Sequence, residues 1–239
     1  MKNACKEVVY YHLCSCDSTN SWAKRKLATF DPEIVTVVVS DCQTHGRGRY
    51  ANSFFSPKGN LFCTICVAKK VTPFFYSQAT ALAVYDLLKE QFSIDATLKW
   101  PNDFLIKGKK VGGVLVEVVH DWTLIGIGLN VNMTQKELKQ IPQKATSLKC
   151  ETKTKIAIAD ILEGLVVRFL ARIEQKKEHI EKEWVTKSNS ILGKKATIKT
   201  ALETIEGHIK AIFSDGSLCL ILPDKSEKKI TSADIWIES

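Results

Sequence analysis

Residues 96–131 read ATLKWPNDFLIKGKKVGGVLVEVVHDWTLIGIGLNV. Four strand-like runs, at 96–100, 103–106, 112–119 and 122–131, are separated by turns carrying Pro101, Gly108 and Asp121. Sequential strands joined by turns this tight make an antiparallel or mixed sheet. That sheet is the frame on which the rest of the chain is to be placed.

Upstream, IVTVVVS at 34–40 and LFCTICVA at 61–68 read as buried strands on either side of a long polar loop. STNSWAKRKLATF at 18–30 predicts a short helix capped by Ser18 or Thr19, with Trp22, Ala23 and Leu27 on one face. SQATALAVYDLLKEQF at 77–92 has Ala81, Val84, Tyr85 and Leu88 at helical spacing. Downstream, Ile158, Ile161, Leu162, Leu165, Phe169 and Ile173 form one stripe, predicting a single long helix over 155–183 that covers a face of the sheet. From residue 187 short alternating strands follow, with Asp215-Gly216 as a hairpin signal, a pattern suited to a small SH3-like barrel. The expected class is α+β: a mixed or antiparallel sheet with helices on one face in residues 1–186, and an SH3-like domain in 187–239.

The chain has 239 residues and is 45% hydrophobic, enough to build a core without disulfide staples. No apolar run reaches the roughly 18 residues of a membrane span, and MKNACKEVVYYH lacks an apolar signal segment, so a cytoplasmic protein is expected. Eight cysteines are present. Cys63 and Cys66 form a C-x-x-C, but three residues apart on a strand they point to opposite faces and share no metal. Cys14 and Cys16 have no second pair or histidine cluster at zinc-finger spacing, so small buried or half-buried thiols in a reducing compartment are expected. The net charge of +8 lies almost wholly in the first 186 residues and implies an anionic partner.

The loop between the two upstream strands, DCQTHGRGRYANSFFSPKGN at 41–60, alternates Gly46, Arg47, Gly48 and Arg49. Glycines let backbone amides face a phosphate, and guanidinium groups bind its oxygens in pairs. The same alternation occurs in nucleic-acid-binding segments and in plain exposed loops. Lys99 ends an apolar strand before Trp100, Pro101, Asn102 and Asp103; it either reaches into a site or snorkels beside a core tryptophan. GIGLNVN at 126–132 offers Asn130 to a base or ribose, or is a closely packed strand. DSTN at 17–20 gathers hydrogen-bonding side chains at a helix entrance, where a capping box is the ordinary explanation.

In this order, DSTN (17–20), QTHGRGR (43–49), FSPKGNL (55–61), KWPND (99–103), KVGGVLVE (110–117) and GIGLNVN (126–132) resemble the motifs of the biotin protein ligases, over nearly the whole chain. The resemblance implies a class II synthetase-like catalytic domain and a reaction in two steps. Biotin and ATP give biotinyl-5′-AMP and pyrophosphate; a lysine of a biotin carboxyl carrier protein then takes the biotinyl group and releases AMP. It implies that Ser18, Thr19, Asn20 and Gln43 bind the ureido ring, and that Gly46, Arg47, Gly48 and Arg49 close over the biotin carboxylate and adenylate phosphate. Lys99 would contact the reacting groups, Gly113 would admit biotin close to its strand, and Asn102 and Asn130 would lie near the nucleotide. Arg47, Arg49 and Lys99 would be the catalytic cations. Magnesium would accompany ATP, with Asp103 as its candidate ligand, and no tightly bound cofactor is implied.

Where the family commonly continues GRGR as x-G-R-x-W, this chain has Tyr50, Ala51, Asn52, Ser53 and Phe54. It loses a glycine hinge, an arginine and an indole, leaving Phe54 to cover biotin. DSTN begins at residue 17, so no winged-helix repressor domain and no sequence-specific DNA binding are expected, while a homodimer is left open. Two alternatives stand beside this reading. A lipoate or octanoate ligase or transferase would share the fold but carry an Arg-Arg-x-Ser-Gly-Gly-Gly loop, and a non-catalytic nucleic-acid-binding protein would leave residues 17–20 and Lys99 without a role.

Overall fold

The computed structural model describes residues 7–68, 71–200, 203–231 and 233–237. The larger sheet has seven strands: β1 (Val8–Leu13), β2 (Val35–Ser40), β3 (Leu61–Ala68), β4 (Ala96–Lys99), β5 (Asp103–Ile106), β6 (Lys109–Val119) and β7 (Trp122–Leu129). They lie side by side in the order β1-β2-β3-β7-β6-β5-β4. β1 and β2 run parallel and every other neighbouring pair is antiparallel, so the sheet is mixed as expected. The stretch 96–131 supplies the four consecutive strands β4 to β7. β6 starts at Lys109, three residues before the predicted run, because the turn is confined to Lys107 and Gly108, both at positive φ.

Period-two alternation sorts the strand side chains between two faces. Val35, Val37 and Val39, Leu61, Cys63 and Ile65, and Ile125, Ile127 and Leu129 join one core with α2 (Pro73–Phe92). The opposite face carries Val38, Cys66 and Leu124, which pack with Ala23 and Leu27 of α1 (Thr19–Lys26) and the turn after it. Cys63 and Cys66 are thus on opposite faces, as the strand reading requires. One face is a thick helical layer, whereas α1 covers part of the other and leaves room for a site.

α3 (Gln135–Leu138) and α4 (Leu148–Thr152) are short and lead to α5 (Ile158–Ile173) and α6 (Lys177–Ser188). The single helix predicted for 155–183 is therefore two. The apolar stripe of α5 ends at Ile173, and Glu174-Gln175-Lys176 offers nothing to bury. α6 turns back to bury its own pair, Ile180 and Trp184. Arg172 fixes the corner, its fork held by Asp86 of α2 and Glu183 of α6.

The small domain is a five-stranded antiparallel sheet of β8 (Lys195–Lys199), β9 (Thr204–Ile212), β10 (Leu218–Ile221), β11 (Glu227–Ile230) and β12 (Asp234–Ile237), in the order β11-β10-β9-β8-β12. Its hairpin turns at Gly216, φ +82, as the Asp-Gly pair predicts. Its core is continuous with that of the large sheet: Ile191, Ile198, Ile212 and Leu218 belong to one apolar cluster with Trp100 and Trp184. Trp100 is fully buried, and its indole Nε1 donates to the Gly216 carbonyl at 2.8 Å. Phe74 fills the space beside Gly216, where a β-carbon would lie 2.0 Å from the ring. A tryptophan and a phenylalanine beside the larger sheet thus seat the hairpin.

Candidate active site

The first turn of α1 lies over the face of the sheet that α2 does not occupy. Ser18, Thr19 and Asn20 are all buried there, although each is polar. Burying such groups is costly unless each finds a partner, and the partners come from distant strands. Asn20 Nδ2 donates to Glu117 Oε2 at 2.9 Å and to the Leu115 carbonyl at 3.3 Å, while Thr64 Oγ1 donates to Asn20 Oδ1 at 2.6 Å. The Thr19 hydroxyl lies 2.8 Å from Thr64 Oγ1. Gln43 Oε1 accepts the Thr19 N–H at 2.8 Å, and Gln43 Nε2 donates to Ser56 Oγ at 3.0 Å. Ser18 stands at the helix N-cap without a side-chain capping bond, so the capping explanation of DSTN fails there.

The floor under this cluster is thinned by glycine. A β-carbon on Gly126 would lie 2.4 Å from Asn20 Oδ1, and one on Gly128 would lie 2.7 Å from the Phe54 ring. The lightness of GIGLNVN is thus the room that α1 and the loop need. Phe54 rests over Gly128, edge-on to Phe62 at 6.2 Å between centroids. At the mouth, Asp17 is held by both arms of Arg25, at 2.7 and 2.8 Å, and these bonds bring its carboxyl down to about 2. Burial pushes the neighbouring Cys16 thiol up.

The arginine loop doubles back on itself. Phe54 N–H donates to Gly46 O, Gly48 N–H to Asn52 O, and Arg47 bridges Ser53. Between them a tight turn puts Tyr50 at φ 49, ψ 44. This turn separates the two arginines. Arg47 faces α1 and β6: its Nη2 lies 3.0 Å from Glu117 Oε1, and its Nη1 lies 3.3 Å from Glu117 Oε2 and 3.4 Å from Ser21 Oγ. Arg49 faces the small domain, donating to the Ala233 carbonyl at 3.0 Å, with its guanidinium 5.1 Å from the Tyr50 ring centre.

Lys99 reaches the same segment, its Nζ donating to the Ile235 carbonyl at 3.1 Å. Carbonyls two residues apart in extended chain point the same way and lie about 7 Å apart. Arg49 and Lys99, fifty residues apart in sequence, therefore both reach one short stretch of the small domain.

The remaining sequence-predicted residues lie on the strands and turns around this centre. Asn102 donates to the Val114 carbonyl at 2.6 Å and ties the KWPND turn to β6. Gly113 faces Asp103 and the Asn102 carbonyl at 3.1 and 3.2 Å from an added β-carbon. Asp103, the expected magnesium contact, lies 2.6 Å from Lys110 Nζ. A carboxylate so paired offers a cation little net charge, and no group of three or more His, Cys, Asp or Glu converges among the described residues. Asn130 is buried; its Nδ2 donates to the Thr146 carbonyl at 3.1 Å, while its Oδ1 has no hydrogen-bond partner.

Sequence reasoning passed over Thr64, Ser56 and Glu117. Thr64 sits in the apolar run 61–68, and Glu117 closes the KVGGVLVE motif without a role of its own. Both lie on the α1 face by simple alternation with Phe62 and Leu115, a signal available once that face is known to hold the site.

Among the described residues no helix is long and apolar enough to cross a membrane. Residues 12–133 match the biotin/lipoate A/B protein ligase family. The chain is 33% identical to the bifunctional ligase/repressor BirA of Bacillus subtilis, over 96% of this chain and 75% of that protein. It is 27% identical to the biotin–[acetyl-CoA-carboxylase] ligase of Paracoccus denitrificans, over 94% of this chain and 98% of that one. The fold superposes on the biotin protein ligase of Aquifex aeolicus in complex with biotin and ATP with a TM-score of 0.81 and 26% identity, covering 96% of this chain and 98% of that chain. A family match across half the chain, a relative of one-third identity along nearly all of it, and the polar floor beside paired cations lead to one conclusion: the chain belongs to the biotin/lipoate A/B protein ligase family.

Proposed function

We infer that this chain is a biotin protein ligase. The observation that carries the reading is the pairing of an uncharged polar cluster, the buried Ser18, Thr19, Asn20 and Thr64 with the half-buried Gln43, with two cations, Arg49 and Lys99, that reach one backbone segment. Biotin has the matching polarity: a neutral ureido head at one end and a carboxylate at the other.

In the first step a biotin carboxylate oxygen forms a bond to the α-phosphorus of ATP, and the bond to the β-phosphate bridge breaks, releasing pyrophosphate. ATP enters as its magnesium complex, and the ion belongs to the substrate. Charge builds on phosphate oxygens, and preorganised cations stabilise it more strongly than water does. Lys99 and Arg49 are the groups assigned to that task, exchanging the carbonyls of Ile235 and Ala233 for the substrate anion. Gln43, engaged at both ends of its amide, positions Thr19 and the returning loop. Ser18 and Thr19 hydroxyls take the ureido group.

In the second step the amine of a carrier-protein lysine attacks the acyl carbon, the bond to the phosphate oxygen breaks, and AMP leaves. The acceptor is a biotin carboxyl carrier protein. The test is incubation with biotin and magnesium-ATP followed by mass analysis of the bound small molecule. Biotinyl-5′-AMP is expected; lipoyl-AMP from a competing mixture, with no biotinyl product, would place the chain in the other branch of the family.

A further inference from the structure

Glu117 is a carboxylate set beside a site that has to receive two anions, a carboxylate and a triphosphate. Placed there alone it would oppose binding, since like charges a few ångströms apart repel. Its contacts show what it does instead. From β6, on the α1 face, it accepts Arg47 through both oxygens, at 3.0 and 3.3 Å, and Asn20 Nδ2 at 2.9 Å. It is less exposed than the arginine it holds, 23% against 45%. One side chain thus fastens the first turn of α1 to the arginine loop.

A guanidinium gripped by both oxygens of a carboxylate has spent its charge and most of its directed N–H groups. Arg49 turns the other way, donating to the Ala233 carbonyl. We propose that Glu117 is a positioning and specificity-determining residue: by neutralising Arg47 and orienting it with Asn20, it makes the α1 side of the site a neutral polar wall for the uncharged biotin head. This rests on the biotin ligase reading, with the ligand named accordingly.

The test measures binding of biotin and of its neutral carboxamide, and steady-state rates against ATP, for wild type, Glu117→Gln, Glu117→Asp, Arg47→Ala and the Glu117→Gln/Arg47→Ala double variant. Melting temperatures are taken alongside. Glu117→Gln is expected to weaken biotin and the carboxamide alike, by about tenfold, because the loss falls on the head they share. The KM for ATP should stay within about twofold. The melting temperature should change by no more than a few degrees. Glu117→Asp keeps the charge but loses reach, and should lie between the two. In the Arg47→Ala background the Gln substitution should have little left to remove, the signature of action through Arg47.

Unchanged biotin affinity in Glu117→Gln would overturn the proposal. So would a rise in the ATP KM with biotin binding intact, which would make Arg47 a phosphate clamp, or an undiminished effect in the Arg47→Ala background, which would make Glu117 purely structural. Absence of biotin binding by the wild type would instead overturn the ligase reading itself, and the proposal with it.

Discussion

Lys99 Nζ donates to the main-chain carbonyl of Ile235 at 3.1 Å, across 136 residues of chain. The lysine expected at the chemistry reaches the start of the last strand of the small domain. A carbonyl dipole is a weaker partner for an ammonium than a phosphate. Lys99→Ala is expected to fold, since its apolar neighbours Leu98 and Trp100 remain, and to lower pyrophosphate release by about a hundredfold or more. Circular dichroism melting and a pyrophosphate assay check the two parts. Near wild-type turnover in a folded variant would remove Lys99 from the first step.

Trp100 tests the seating of the small domain. Trp100→Phe keeps most of the apolar bulk but leaves the buried Gly216 carbonyl without its donor. An orphaned buried acceptor costs about 1–3 kcal/mol. In a chain of this size that is a fall of roughly 4–8 °C in Tm for a cost near the middle of the range. Calorimetry reads the shift. A change below one degree would mean that the hairpin finds another donor.

Gly126 tests the floor. Its β-carbon position lies 2.4 Å from Asn20 Oδ1, so Gly126→Ala has to push the first turn of α1 outward or rotate Asn20 off Thr64 and Glu117. Biotin affinity is expected to fall more than about tenfold, since a displacement near 1 Å at a positioned contact is enough for that, while the ATP KM moves little. Titration calorimetry with biotin is the measurement. An equal loss for both substrates would show that the glycine serves the whole domain.

The pH dependence of stability tests the buried thiols. Cys63 lies wholly inside the core, and burial pushes its thiol up to about 12; Cys66 is shifted the same way. The native state thus favours the neutral thiol more than the unfolded chain does. This contribution is fully present below the ordinary thiol range near pH 8.5, and it is lost as pH rises toward 12. With reductant present, urea midpoints are expected to fall between pH 8 and 11. Cys63→Ala, less stable at pH 8 through lost packing, should fall less steeply, by an amount approaching about 3 kcal/mol at pH 11 as an upper bound. Parallel curves would mean that the thiol ionises in the native state.

Strands β2 to β7 were legible because their apolar alternation and their turns agree, and the small sheet was legible for the same reason. β1 was not, because VVYYHL is half exposed and binds one neighbour in parallel, far from any hairpin signal. The break between α5 and α6 was hidden by a charged run that is as good a helix former as any; it is set by Arg172 choosing partners on two other helices. Within the site, the residues with polar side chains in short motifs announced themselves. What they touch did not. Asn20 meets Glu117 across 97 residues, and Arg49 and Lys99 meet backbone carbonyls, which carry no residue identity to read.

The seat of the hairpin has a consequence for how the protein is made. Trp100 is translated 116 residues before the Gly216 carbonyl that receives its indole. At about 5–20 residues per second, the catalytic half waits on the ribosome for roughly 6–23 s before its partner exists. Over that interval the indole, the edge of Phe74 and the ends of Arg49 and Lys99 lack the surface they are shaped for. The nascent chain therefore carries a sticky apolar seam beside an unfinished cationic centre, and its window for capture by chaperones closes only as the last strands emerge.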